Sequence, residues 1–165
     1  MDEMNTNNEV PSRIQICSLV DYRGDNDKAI ADYDEAIRLN PNDADAYKYR
    51  GIAYWLKADY IHAIADFTSI LRITPHDVVA QSNRGKAYIN NGDYDLAIQD
   101  FNWIIDHSHK DASAYHDRGV AYYNKGDTEK AIEDLEMALR INPYDSNIKQ
   151  KLEIIRKKHA LAGSA

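Results

Sequence analysis

The sequence predicts an all-α solenoid of helix-turn-helix units, and three observations predict it. The first is a period of 34 residues: segments 44–77, 78–111 and 112–145 align without a gap. Arg50, Arg84 and Arg118 recur at that offset, as do Gly51, Gly85, Gly119 and Tyr54, Tyr88, Tyr122. So do Ala63, Ala97, Ala131 and Ile64, Ile98, Ile132, while Phe67 and Phe101 are answered by Leu135. The second is helical spacing inside each copy. Ala63, Phe67, Ile70 and Leu71 stand at i, i+4, i+7 and i+8, the apolar face of one helix. Tyr47, Gly51 and Tyr54 mark another, with Gly51 leaving room for a close helix neighbour. The third is punctuation: aspartates before each helix, and glycine or proline after it.

The elements follow in chain order. Residues 1–9 are acidic and polar and are expected to be a disordered tail. Residues 10–43 form a degenerate first copy. Ala29, Ile30, Tyr33 and Ala36 keep the pattern there, but Arg13, Ile16, Cys17 and Val20 depart from it, so its first helix lacks the pattern's support. Repeats 44–77, 78–111 and 112–145 come next, each read as two helices. Asp43, Asp77, Asp111 and Asp145 precede the first helices, and Asp25, Asp59, Asp93 and Asp127 precede the second ones. All eight are read as N-caps, each worth about 1 kcal/mol through bonds to unpaired backbone N–H groups and the helix dipole. Gly24, Gly92 and Gly126 suit the preceding helix C-termini, with Ala58 as the exception. Pro41, Pro75 and Pro143 close second helices, where the third copy has His109.

Residues 146–161 read as a capping helix, since an open stack end needs an apolar inner and polar outer face. Ile148, Leu152 and Ile155 make its stripe, with Lys149, Lys151, Arg156, Lys157 and Lys158 around it. The alternative is that this helix docks elsewhere or carries a basic patch for an acidic partner. Residues 162–165 are expected to be a disordered tail.

A further aspartate column, Asp32, Asp66, Asp100 and Asp134, faces the arginine column Arg50, Arg84 and Arg118. We read these as helix-to-helix ion pairs that set register. As partly exposed pairs they would contribute about 0.2–1 kcal/mol each. The alternative, an arginine ladder for an anionic ligand, has less to recommend it.

Composition narrows the function. The 165 residues hold 27 acidic and 20 basic side chains, a net charge of −7, which argues against nucleic-acid binding. Twelve of the acidic residues sit in the three aspartate columns, so the charge is largely architectural. It is also uneven: residues 146–165 carry +4 and the rest −11. A single cysteine, Cys17, excludes an intramolecular disulfide and suits a reducing, cytoplasmic setting. Cys17 falls in a column of small packed residues and is read as a buried structural thiol. No apolar run approaches the ~20 residues of a membrane span, and the start lacks a signal peptide's pattern.

With those residues in view, a resemblance becomes specific. The stretches 46–54 (AYKYRGIAY) and 126–135 (GDTEKAIEDL), closing on Asn142-Pro143, resemble tetratricopeptide repeats, from Val10 to about Arg156. Two columns depart: one often held by Trp carries Tyr47, Gln81 and Tyr115, and one usually leucine-like carries the arginines.

Columns that differ between copies are released from packing and can specialise. On the first helices these include Lys48/Ser82/His116, Tyr49/Asn83/Asp117, Ile52/Lys86/Val120 and Trp55/Ile89/Tyr123. Tyr49 lies two residues from Gly51, about 200° round the helix, so this face points away from the packed side. The resemblance implies that it lines a concave groove binding a peptide of a partner protein. The candidate groove is therefore Lys48, Tyr49, Ile52, Trp55, Asn83, Lys86, Ile89, His116, Asp117, Val120 and Tyr123. Aromatic anchors such as Trp55 and Tyr123 are typical of binding hot spots. Their competing role is to fill gaps between repeats. Some members of the family clamp the carboxylate tail of heat-shock chaperones with two Lys, two Asn and one Arg. Here Lys48 and Asn83 match, whereas Ile52, Ser113 and Asp117 do not, so chaperone-tail binding is not expected.

Trp103 stands in a column otherwise holding Glu35, Ser69 and Met137, either exposed as a contact surface or partly buried against the next repeat. No catalytic residue, metal site or cofactor is expected, and His107 and His109 read as solvated loop residues. The expected function is a non-enzymatic adaptor or co-chaperone-like scaffold. The alternative is a self-associating structural unit, a homo-oligomer built through the altered first repeat or Trp103.

Overall fold

A computed structural model describes residues 26–162, which form eight α-helices and no strand. In order these are α1 (Asn26–Leu39), α2 (Ala44–Leu56), α3 (Tyr60–Ile73), α4 (Val78–Asn91), α5 (Tyr94–His107), α6 (Ala112–Lys125), α7 (Thr128–Ile141) and α8 (Ser146–Ala162). Each helix packs on the one before and the one after it, and α4 also touches α6. The fold is an all-α helical repeat. The readings placed on 1–25 and 163–165, including the first helix of the degenerate copy, Cys17, Gly24 and the Asp25 cap, lie outside the described residues.

The repeating columns make the core. Ala63, Phe67 and Ile70, then Ala97, Phe101 and Ile104, then Ala131, Leu135 and Ala138 are all buried. A methyl group on Gly85 would lie 2.8 Å from the Phe101 ring, so the helix pair closes only because that side chain is missing. At the end of the stack, Ile148, Leu152 and Ile155 of α8 bury against Leu135 and Ala138.

The first-helix caps are formed. Asp43, Asp77, Asp111 and Asp145 accept from the backbone N–H of Ala46, Ala80, Ala114 and Ile148 at 2.9–3.0 Å. The second set needs correction. Asp59 accepts from the His62 N–H at 3.2 Å, but the Asp93 and Asp127 side chains make no cap bond. Asp93 instead accepts from the Asn91 amide and Asp127 from the Lys130 ammonium, so neighbours draw both carboxylates off the helix end. The turns before them keep a common geometry. Gly92 (φ 90°) and Gly126 (φ 99°) are left-handed, and the N–H groups of Asp93 and Asp127 reach back to Tyr88 and Tyr122. Ala58 adopts the same conformation at φ 57°, with Asp59 N–H bonded to the Tyr54 carbonyl.

The arginine column forms the expected ladder. Arg50 donates to Asp66 at 2.9 and 2.5 Å, Arg84 to Asp100 at 2.9 and 2.7 Å, and Arg118 to Asp134 at 2.8 and 2.6 Å. Each guanidinium also bonds back to the preceding second helix, at Asp34, Thr68 Oγ1 and Asn102 respectively. Tyrosines flank them: Tyr47 and Tyr54 at Arg50, Tyr115 and Tyr122 at Arg118. Where Gln81 replaces the first tyrosine, its amide donates to Asp100 at 2.6 Å. Two expectations change. Asp66, Asp100 and Asp134 are buried, so these are not the weak, partly exposed pairs anticipated. Burial pushes the Asp66 and Asp100 carboxyls above their usual pKa, against the lowering effect of the arginines. Asp32 is exposed, and the sequence position one period before Arg50, residue 16, lies outside the described residues.

Candidate functional site

The groove columns fall on three parallel first helices. α2 carries Lys48, Tyr49, Ile52 and Trp55; α4 carries Asn83, Lys86 and Ile89; α6 carries His116, Asp117, Val120 and Tyr123. None of the eleven is buried, whereas Ala46, Gly51, Ala53 and their counterparts on the other side of the same helices are. One helix thus presents a packed face and a free face, set by which columns repeat.

Three cavities divide these residues. Ile52, Trp55, Asn83 and Lys86 surround a space of about 230 Å³ whose floor is Phe67. Trp55 remains 39% exposed beside it, so the indole does not close the gap between repeats. Lys86, His116 and Asp117 border a second space of about 250 Å³. Val120 and Tyr123 border a third and larger one, about 560 Å³, between α6 and α8.

The remaining candidates are not drawn into these spaces. Tyr49 stacks on Tyr33 of α1 with ring centroids 6.0 Å apart. Lys48 lies over the Tyr49 ring at 4.6 Å and pairs with Asp45 at 2.6 Å. Ile89 is half-buried and packs on the core around Phe101, so it serves packing as much as the groove.

Polar groups are linked along the groove floor. Lys86 pairs with Asp117 at 3.5 Å, and His116 Nδ1 meets Asp117 at 2.9 Å. His116 Nε2 then faces the Lys151 ammonium at 3.2 Å. With Nδ1–H donating to Asp117, Nε2 is the free acceptor, so a single tautomer satisfies both contacts. The chain of contacts joins α4, α6 and α8. It also occupies Asp117 with two partners inside the groove.

Sequence reasoning missed the far wall of the third cavity: Asn147, Gln150, Lys151, Ile154, Ile155 and Lys158 of α8. A signal for it was present. A step of 34 residues from Asp117, Val120 and Asn124 lands on Lys151, Ile154 and Lys158. The columns of the open face thus recur on α8, which also covers the stack end.

Trp103 is resolved in favour of burial. It is half-buried, packs on the core around Phe101, and stacks on His107 at 4.0 Å and His76 at 6.0 Å. His107 is accordingly not a loop residue. It ends α5, and its Nδ1–H donates to the Trp103 carbonyl at 2.7 Å. Among the described residues no group of three or more His, Cys, Asp or Glu side chains stands together as a metal site would. Nor is any described helix long and apolar enough to cross a membrane.

Comparison with known proteins agrees with this architecture. Residues 22–57 match a family model described as TPR repeat, and residues 85–157 match one described as Tetratricopeptide repeat. No curated protein sequence matches the chain significantly. Among solved structures, MamA 41-end from Desulfovibrio magneticus RS-1 is similar at 26% identity and TM-score 0.76, over 84% of this chain and 78% of that one. The first TPR of Spaghetti (RPAP3), bound to HSP90 peptide SRMEEVD, is similar at 26% identity and TM-score 0.65, over 71% and 93%. The Sgt2 TPR domain from Aspergillus fumigatus is similar at 26% identity and TM-score 0.68, over 74% and 82%.

Proposed function

We propose that this chain, which belongs to the tetratricopeptide repeat family, is a protein-interaction module that binds a peptide segment of a partner protein along the face formed by α2, α4, α6 and α8. One observation carries the reading: the columns that differ between repeats line a row of open cavities with unburied aromatic and aliphatic side chains beside them. Most buried columns are fixed by packing, so the divergence concentrated along this open face fits selection for a ligand. That a similar domain, from RPAP3, is described as bound to an HSP90 peptide supports peptide binding by this fold. The ligand here should differ from a chaperone tail. Only Lys48 and Asn83 match the carboxylate-clamping set, and Asp117 places a negative charge in it.

The test is affinity capture with wild type and with Trp55→Ala/Tyr123→Ala, followed by titration of whatever partner is retained. Hot-spot aromatics contribute about 1–2 kcal/mol each, so the double variant should bind at least ~30-fold more weakly. An unchanged affinity would move the binding face elsewhere. The self-associating alternative loses one of its two supports, because Trp103 packs within its own chain. Mass against dilution tests what remains of it, the altered first repeat.

A further inference from the structure

We propose that the notch between α6 and α8 receives an acidic helical segment of the partner, one that presents carboxylate, apolar side chain and carboxylate in that order on one face. The inference rests on the groove reading above and specifies the chemistry of its far end. Its first basis is shape. The space of about 560 Å³ between α6 and α8 has apolar side chains on both sides, Val120 and Tyr123 on one and Ile154 and Ile155 on the other, among the polar Asn124, Asn147, Gln150, Lys151 and Lys158. Ile154 is 47% exposed, a large aliphatic side chain left facing the notch.

Its second basis is charge. Lys48, Lys57, Lys125, Lys130, Arg156 and Lys157 each pair with a carboxylate of this chain. Lys151 and Lys158, which border the notch, pair with none among the described residues. Lys151 reaches only His116 Nε2, and Lys158 only the Tyr123 hydroxyl at 3.4 Å and the face of its ring. In a chain of net charge −7, two unpaired ammonium groups beside an open apolar notch are complementary to an acidic ligand. The surrounding negative charge repels such a ligand elsewhere on the molecule and steers it to this end.

Its third basis is spacing. Lys151, Ile154 and Lys158 stand at i, i+3 and i+7, one stripe of α8 about 10.5 Å long. A partner helix with Glu, Leu and Glu at the same intervals lays each side chain against its complement. A nucleic-acid backbone could supply the charge but not the apolar centre, so a peptide is the better match.

The experiment uses the full chain and a fluorescent, end-blocked, alanine-based helical peptide carrying Glu, Leu and Glu at i, i+3 and i+7. Blocked ends leave side-chain carboxylates as its only charge. A second peptide replaces both Glu by Gln, and a single-stranded oligonucleotide is the third probe. Anisotropy should show the acidic peptide bound and the Gln peptide about tenfold weaker. Lys151→Ser/Lys158→Ser should lower affinity for the acidic peptide by a similar factor, with the helical circular-dichroism melt unchanged. Milder Lys151→Gln and Lys158→Gln single variants should each give part of that loss. Equal binding of both peptides, no binding of the acidic one, indifference to the lysine variants, or preference for the oligonucleotide overturns the inference. The groove reading survives any of these if Trp55→Ala/Tyr123→Ala still releases the captured partner, so the two fail separately.

Discussion

Replacing Arg50 by leucine strips the guanidinium from a carboxylate that has no other donor. Asp66 is 3% exposed and accepts from Arg50 alone, through Nε and Nη2. Removing one partner of a buried pair costs about 3–5 kcal/mol, because the remaining charge is neither hydrated nor paired. Two features reduce that figure here. The Arg50 side chain is itself 19% exposed, and its second partner, Asp34, is exposed enough to be hydrated when released. The expected loss for Arg50→Leu is therefore about 2–3 kcal/mol. The double variant Arg50→Leu/Asp66→Ala removes the stranded charge as well and should recover ~1–2 kcal/mol of it. The chain contains a precedent: the next position in the arginine column is Leu152, buried in α8 without a carboxylate partner.

The pH dependence gives a second readout of the same reasoning. Burial already raises the Asp66 pKa in the intact pair, and Arg50 is the principal group holding it down. Without Arg50 the folded-state value rises further above the unfolded value of ~3.9. A folded carboxyl with a raised pKa binds its proton before the unfolded chain does. Its destabilising effect is thus full at neutral pH and is relieved as pH falls through the folded value. The deficit of Arg50→Leu relative to wild type should shrink as pH falls from 7 toward the unfolded value of ~3.9, by ~1.4 kcal/mol in all for each unit the folded pKa has risen above that of wild type. Urea denaturation followed by circular dichroism at several pH values measures both effects. The reasoning is refuted if Arg50→Leu lies within ~0.5 kcal/mol of wild type at pH 7, or if its deficit does not shrink on acidification.

The helix ends provide two further predictions, read by the same denaturation assay. Ala58 occupies the left-handed position that Gly92 and Gly126 fill in the other repeats. Relief of ~1–2 kcal/mol of backbone strain, less the ~0.5–1 kcal/mol that glycine loses on ordering, makes Ala58→Gly stabilising by about 0.5–1 kcal/mol; a loss of stability would contradict this. Asp77→Ala should cost about 1 kcal/mol, since its carboxylate bonds the Ala80 N–H, whereas Asp93→Ala should stay within ~0.5 kcal/mol. Equal costs at the two sites would mean that the dipole, and not the cap bond, sets the value.

What the sequence disclosed, and what it withheld, follow from how the interactions are distributed. Packing contacts repeat with the helices, so Ala63, Phe67 and their counterparts are visible as columns, and so is the Arg–Asp ladder. Contacts made by a single repeat leave no column to compare. Asp93 and Asp127 look like caps, but Asn91 and Lys130, one local neighbour each, divert them. The Trp103 site is similar. In the preceding repeat Ser69 leaves a notch of about 360 Å³ bordered by Asn42, Tyr47, Arg72 and Ile73. Trp103, at the Ser69 position, is flanked by His76 and His107, at the Asn42 and Ile73 positions. The Trp103 column stands out in the sequence, but its two histidine partners, drawn from different columns, do not. The α8 wall is legible by the period, but the helix's buried stripe of Ile148, Leu152 and Ile155 already accounts for it as a cap. Ile154, outside that stripe, is the residue a cap alone does not explain.

The ladder and the groove belong to one design of helix. Arg50 and Tyr49, Arg84 and Asn83, Arg118 and Asp117 are sequence neighbours, separated by about 100° on the same helix. The first member of each pair is invariant and bonds second helices 16 residues away on both sides, fixing the helix between them. A leucine in that column would supply burial but no directional bond. Two-sided bonding by a planar guanidinium restricts the motion of the helices it joins, and with it the spacing of α2, α4 and α6. The neighbouring position is thereby free to change from Tyr to Asn to Asp without loss of register. A packed side held by the ladder thus leaves the open side free to vary, and it is on that side that the proposed partner-binding face lies.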